Sequence, residues 1–185
     1  MRIRYSESRL GISLIEVVVT LGIMTVLFGV TLAYNRSSVA KTTLYTEQSK
    51  VIGVLNRAKG FALQKYREGG SRFCGFGVVF YVGGSDYSGS GDYELVGVNK
   101  PPNDQTPCIA PSSVPPPSDV TPLENYILHD PIAFKSVTPH GGVFFVAPYL
   151  ETFSAGNVDL EVKGNPSLPP AVIEIGNGGT ITAIQ

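Results

Sequence analysis

Few side chains in this sequence could do chemistry. It holds 2 His and 2 Cys. His129 and His140 have no metal-ligand spacing with each other or with Cys74 and Cys108. His129-Asp130 precedes Pro131, so a turn is expected there rather than a catalytic pair. Asp86, Asp92 and Glu94 flank a glycine-rich loop and could hold calcium, but the EF-hand spacing is absent and a solvated loop is the expected reading. No nucleophile elbow, P-loop or dinucleotide fingerprint occurs. The chain is therefore read as a non-enzyme with no catalytic residue, metal or cofactor. One titratable group stands apart. Glu16 is the only formally charged side chain between Ile12 and Tyr34.

The composition narrows the elements that could carry such a residue. Among 185 residues, 43% are hydrophobic and only 16% charged, which is unusual for a cytosolic enzyme. With 14 Lys+Arg against 15 Asp+Glu, no bulk positive charge is available for nucleic acid. The 21 Gly and 14 Pro favour a turn-rich fold over a helical bundle. The apolar residues are spread unevenly. Residues 1–11 carry Arg2, Arg4 and Arg9 against Glu7, and the apolar run follows at once. As a helix, Ile12 to Tyr34 would measure about 34 Å, enough for a hydrocarbon core of about 30 Å. The leading arginines put residues 1–11 on the cytoplasmic side and everything downstream outside the cytoplasm.

Three readings compete for this segment. A secretory signal would use Thr31-Leu32-Ala33 as its cleavage site, but the apolar stretch is too long and contains Glu16. A plain membrane anchor leaves Glu16 unexplained, since an acidic residue at the centre of a spanning helix costs about 2.5–3.5 kcal/mol, and less near its end. The third reading uses Glu16. The run Gly11-Ile12-Ser13-Leu14-Ile15-Glu16 resembles the class III signal of type IV pilins and type II secretion pseudopilins. The resemblance implies cleavage of the 1–11 leader after Gly11 by a prepilin peptidase and N-methylation of Ile12. It also implies that Glu16, then fifth in the mature chain, neutralises the new α-ammonium of a neighbouring subunit. In a filament core of low dielectric that pairing would fix axial register. The sequence departs from the family in having Ile12 where Phe is commonest, and in lacking the proline that kinks many major-pilin helices.

Beyond Asn35 the chain turns polar, with no proline before Pro101. Leu44, Val51, Leu55, Ala58 and Ala62 recur at helical spacing and predict a narrow apolar stripe. Lys41, Glu47, Gln48, Lys50, Asn56, Arg57 and Lys59 fall between them, on the polar side. The basic residues Lys50, Arg57, Lys59, Lys65 and Arg67 could be read as a nucleic-acid face, but a solvated helix face is the expected reading. Gly69-Gly70 should stop the helix. Residues 12–34 are thus expected as a transmembrane or filament-core helix, 35–68 as its amphipathic continuation, and 69–185 as a β-rich head outside the cytoplasm. The alternative is an anchor and a separate core helix with a break near Asn35 to Ser38.

Within the head, expected strands are 76–82, 93–98, 126–128, 132–137, 143–147, 158–163, 171–175 and 180–184. Val158 to Val162 alternates apolar and acidic residues, as a strand with one buried face would. Asn177-Gly178 signals a hairpin. Residues 83–91 read as a flexible loop, and the proline-rich stretch 100–122 as an extended connection. An antiparallel sheet packed on the helix stripe would make an α+β head. Cys74 and Cys108 are candidates for a disulfide that ties the proline-rich loop to the sheet, worth about 3–4 kcal/mol by loop closure; free thiols are the alternative.

The stretch from Leu55 to Leu63, the strand-like Gly75 to Tyr81, and the pair Ile173 to Gly176 and Gly179 to Ile181 resemble GspH/FimT-type minor pseudopilins. The implied function is a structural and assembly subunit, a minor pilin or pseudopilin of a type IV pilus or type II secretion pseudopilus. It would be a single-pass protein of the cytoplasmic (inner) membrane until assembled. Its implied partners are other pilin or pseudopilin subunits, the prepilin peptidase and methylase, the inner-membrane assembly platform and the lipid bilayer, with no nucleic acid. The alternative is a filament-tip binding module for DNA uptake or adhesion. Some FimT-like relatives bind DNA through arginines of a C-terminal tail, and here no Lys or Arg follows Lys163. Cleavage would remove three arginines and one glutamate, taking the side-chain balance from 14 and 15 to 11 and 14.

Overall fold

The computed structural model of the chain describes residues 13–68, 72–82, 91–100, 115, 117–138, 141–146, 151–152 and 156–184, and the side chains of all of these except 33–37, 65–68, 151 and 152. Among these residues the chain is α+β, with helix α1 (Leu14–Glu68) followed by nine strands in two antiparallel sheets. It divides into two compact units, residues 1–40 and 41–185.

The first unit holds the apolar part of α1. Ser13 opens it, its carbonyl accepting from the N–H groups of Glu16 (3.0 Å) and Val17 (3.3 Å). The Ser13 and Glu16 spacing is that of a capping box, and an acidic group in the first turn suits the helix dipole. Every described side chain from Leu14 to Leu32 is exposed. Three hydroxyls interrupt the apolar surface, and each donates back to its own helix. Thr20 bonds the Glu16 carbonyl (2.9 Å), Thr25 that of Gly22 (2.8 Å) and Thr31 that of Leu27 (2.8 Å). With its backbone and these hydroxyl groups satisfied internally, the segment presents hydrocarbon outward everywhere except at Glu16.

In the second unit, β1 (Phe73–Phe80), β2 (Tyr93–Asn99), β3 (Val120–Tyr126), β5 (Gly142–Val146) and β6 (Glu151–Thr152) form one sheet in the order β3-β2-β1-β5-β6. The other sheet orders β4 (Ile132–Val137), β7 (Gly156–Val162), β8 (Ala171–Ile175) and β9 (Ile181–Ile184) as β4-β7-β8-β9. Two sheets stand where the sequence reading expected one, and burial explains the division. In β2 and β5 every residue is buried except Asn99, so both faces of that sheet are covered. In β7 only Val158, Leu160 and Val162 are buried, the pattern of a one-sided sheet. Strands of these two kinds cannot share one environment.

The sheets meet at an aromatic joint. Phe134 on β4 packs edge-on against Phe80 (centroids 5.0 Å apart) and Tyr93 (5.7 Å). On the opposite face of the five-stranded sheet, Val79, Val96, Val98 and Phe144 form a second cluster with Tyr81 and Val120. Glycine makes room for it. A Cβ on Gly77 would run into the Phe144 ring and the Val143 carbonyl, so this strand position takes no side chain. The stripe Leu44, Val51, Leu55, Ala58 and Ala62 is buried as its spacing requires, joined by Val54. Phe61 reaches Phe76 on β1 with ring centroids 5.7 Å apart.

Two strand expectations need correction. The strand expected over 126–128 is β3, Val120–Tyr126, which begins inside the proline-rich stretch. Pro122 is tolerated there because β3 is an edge strand. The two-residue β6 is too short to carry a sequence signal. The Asn177-Gly178 hairpin is present. Gly176 N–H donates to the Thr180 carbonyl (2.9 Å), with Gly179 at φ +68° in the turn.

Candidate functional site

The candidate site residues fall in different places. Gly11 and Ile12 lie outside the described residues, as do Asp86, Cys108 and His140. Glu16 stands in the first turn of α1, its side chain exposed. Around and beyond it run Leu14, Ile15, Val17, Val18, Val19 and Leu21, all exposed. Leu14–Leu32 is long and apolar enough to cross a membrane, and none of it is buried in the protein. Among the described side chains of the first unit, Glu16 is the only charged one.

Cys74 is disulfide-bonded, and the sequence holds one other cysteine, Cys108. Asp92 and Glu94 are engaged within the head. Asp92 Oδ2 accepts the Leu128 N–H at 2.7 Å, and Glu94 Oε2 accepts the Tyr81 hydroxyl at 2.6 Å. No group of three metal-ligating side chains occurs among the described residues. His129 is exposed, with Nδ1 2.5 Å from the Asp130 carbonyl oxygen, and the Asp130–Pro131 peptide is cis, at the turn into β4.

The polar side chains of α1 in the second unit differ most from expectation. Glu47 and Gln48, placed by spacing on the polar side of the helix, are 1% and 3% exposed. Sheets on two sides widen the buried arc of the helix beyond its apolar stripe. Gln48 Nε2 donates to the Val172 carbonyl on β8 at 2.9 Å. Glu47 Oε1 accepts from Lys50 Nζ at 2.7 Å, while Oε2 has no partner. Its charge bears on Tyr93, whose hydroxyl pKa burial and then Glu47 push up to about 12. Further along, Arg57 forks onto Glu124 of β3 with both N···O distances 2.6 Å. Tyr126 donates to Glu124 Oε2 at 2.6 Å, and its ring stacks on Tyr93 with centroids 5.1 Å apart. That hydrogen bond, with Arg57 and against the cost of desolvation, holds Glu124 below the usual carboxylate range. Lys59 Nζ donates to the Gly179 carbonyl at 2.9 Å.

Of the five cations weighed as a nucleic-acid face, Lys50 bonds Glu47 on its own helix, Arg57 and Lys59 reach β3 and the turn before β9, and the side chains of Lys65 and Arg67 lie outside the described residues. Sequence spacing could not reveal this, because Glu124 and Gly179 are distant in the chain. No protein-family model, curated protein or solved structure matches the chain.

Proposed function

We propose that this chain is a structural and assembly subunit of pilin type, a minor pilin or pseudopilin of a type IV pilus or type II secretion pseudopilus. The observation that carries the reading is the apolar helix Leu14–Leu32, exposed along its whole length, with Glu16 in its first turn four residues after Ile12 and five after Gly11. A helix apolar on all sides needs either lipid or the apolar helices of other subunits around it. A filament subunit meets both in turn, first stored in the membrane and then packed in the filament core. Cleavage after Gly11 supplies the α-ammonium of Ile12 that Glu16 of the next subunit neutralises. In this reading the head, residues 41–185, stays outside the cytoplasm, and the fold is pilin-like.

The rival reading, a filament-tip module binding DNA, draws no support from Lys50, Arg57 and Lys59, which are held by Glu47, Glu124 and the Gly179 carbonyl. The test is mass spectrometry of the protein purified from membranes. The expected N-terminus is N-methylated Ile12; an intact Met1, or a cut after Ala33, overturns the proposal. Glu16→Ala should leave membrane insertion intact and impair incorporation into filaments, and undiminished incorporation would refute the role given to Glu16.

A further inference from the structure

Four strands border the two sheets, and three of them are blunted. β3 carries Pro122 and a register shift opposite Leu95 and Val96. β4 has a register shift between Phe134 and Ser136 that sets the exposed Lys135 out of the ladder. β6 is two residues long. Proline, bulges, lysine and brevity are the usual devices that stop a sheet edge from pairing with another chain. The fourth border, β9, is short at four residues but has no proline, bulge or lysine. Its residues Ile181, Thr182, Ala183 and Ile184 are uncharged, contain no proline and pair with β8 without a shift.

The register fixes which backbone groups of β9 point outward. Gly176 N–H bonds the Thr180 carbonyl, so that pair is hydrogen-bonded, and antiparallel alternation makes Glu174–Thr182 and Val172–Ile184 hydrogen-bonded as well. The N–H and C=O groups of Ile181 and Ala183 therefore face away from β8. Nothing pairs with them among the described residues, and Thr182, Ala183 and Ile184 are exposed. The side chains of Ile181 and Ala183 share the face of their partners Ile175 and Ile173, which are buried. The apolar layer of this sheet thus runs out at an open edge.

We infer that β9 is a homodimerisation edge, pairing antiparallel with β9 of a second copy of this chain about a two-fold axis through Thr182. The occupant follows from self-complementarity. With Thr182 opposite Thr182 of the second copy, Ile181 of each chain stands opposite Ala183 of the other. Those are the residues with outward N–H and C=O groups, so all of them pair at once. The same register keeps the apolar faces of both sheets on one side, since directly opposed residues of a sheet share a face. A one-residue slip would set buried-face residues against outer-face residues. The strand is uncharged, so two copies bring no like charges together at the seam, and an isologous contact closes as a dimer. The result is one continuous sheet across two heads. This inference does not depend on the pilin reading.

Disulfide trapping in the full-length chain, in the membranes of expressing cells, tests it. Directly opposed residues have Cβ atoms about 4.5–5.5 Å apart, so Thr182→Cys should form a covalent dimer under mild oxidation. Glu174→Cys, exposed one strand inward, would sit about 14 Å from its counterpart across three strand spacings and should give only the wild-type background. Adding Ala183→Pro to Thr182→Cys removes an outward N–H while sparing the β8 ladder, and should abolish the dimer. If Thr182→Cys stays monomeric, links equally with Glu174→Cys, or links to a protein of another mass, the inference is overturned; so too if Ala183→Pro leaves the dimer unchanged. Should Ala183→Pro fail to fold, the two cysteine variants decide the matter alone.

Discussion

The two parts of α1 differ in what they bury: the first buries nothing, and the second buries one face. From Leu14 to Leu32 the helix is apolar on every side apart from Glu16, and wholly exposed. From Leu44 to Ala62 apolar and polar residues are nearly balanced, and the helix buries Leu44, Val51, Val54, Leu55, Ala58 and Ala62, and even Glu47 and Gln48. Hydrophobicity therefore does not say which part of this chain folds against itself. Pattern does. A stripe selects one partner face, whereas a uniformly apolar cylinder selects only an apolar surrounding. The first region depends on its environment for stability and the second on its own packing.

That contrast can be broken from either side. The largest effect should come from Phe80→Ala, which removes the ring at the junction of the two sheets and should cost the head about 3–5 kcal/mol. Thermal unfolding of the full-length protein in detergent would show a lowered midpoint, with membrane association unchanged. Val26→Arg is the reciprocal test. A cation at the centre of Leu14–Leu32 costs about 2.5–3.5 kcal/mol of insertion, so the protein should partition away from membranes while its head unfolds at the wild-type midpoint. If Val26→Arg destabilises the head equally, the division into two regimes fails.

Two smaller perturbations sharpen the picture within the head. Gly77→Val forces a side chain into the Phe144 ring and should cost about 1–3 kcal/mol, readable as a drop in the same midpoint. Tyr93→Phe addresses the buried charge. The folded-state pKa of Tyr93 is raised to about 12 from an ordinary 10, so its neutral form is favoured by folding. That contribution is fully present below pH 10 and is lost as pH rises toward 12. An alkaline titration of stability should be shallower over this window in Tyr93→Phe than in wild type. Equal slopes would mean that another group governs alkaline unfolding.

Much of this was readable from residue order, where the signal was local. The apolar stripe on α1, the alternation in β7 and the Asn177-Gly178 turn depend on neighbours within one element, and each is found where its spacing puts it. The division into two sheets was not legible, because pairing partners such as β1 and β5 are set by contacts remote in sequence. For the same reason the burial of Glu47 and Gln48 was not legible: polarity marks them as solvated, but contacts with both sheets widen the buried arc of the helix past its apolar stripe. Arg57 gave no sign of its fork on Glu124, which lies on a strand hidden behind a proline-rich stretch. Of Gly11, Ile12 and Glu16, only Glu16 falls among the described residues, exposed in the first turn of α1.

The side-chain bonds that α1 makes to strands and turns also have a mechanical meaning. Gln48 holds β8, Arg57 holds β3 and Lys59 holds the turn before β9. These anchors span about 16 Å of helix, with the buried stripe running between them. Tension along the helix axis would load all of them together, in shear, so that several bonds must fail at once. A head fastened in this way resists being peeled from its own helix when the helix is pulled.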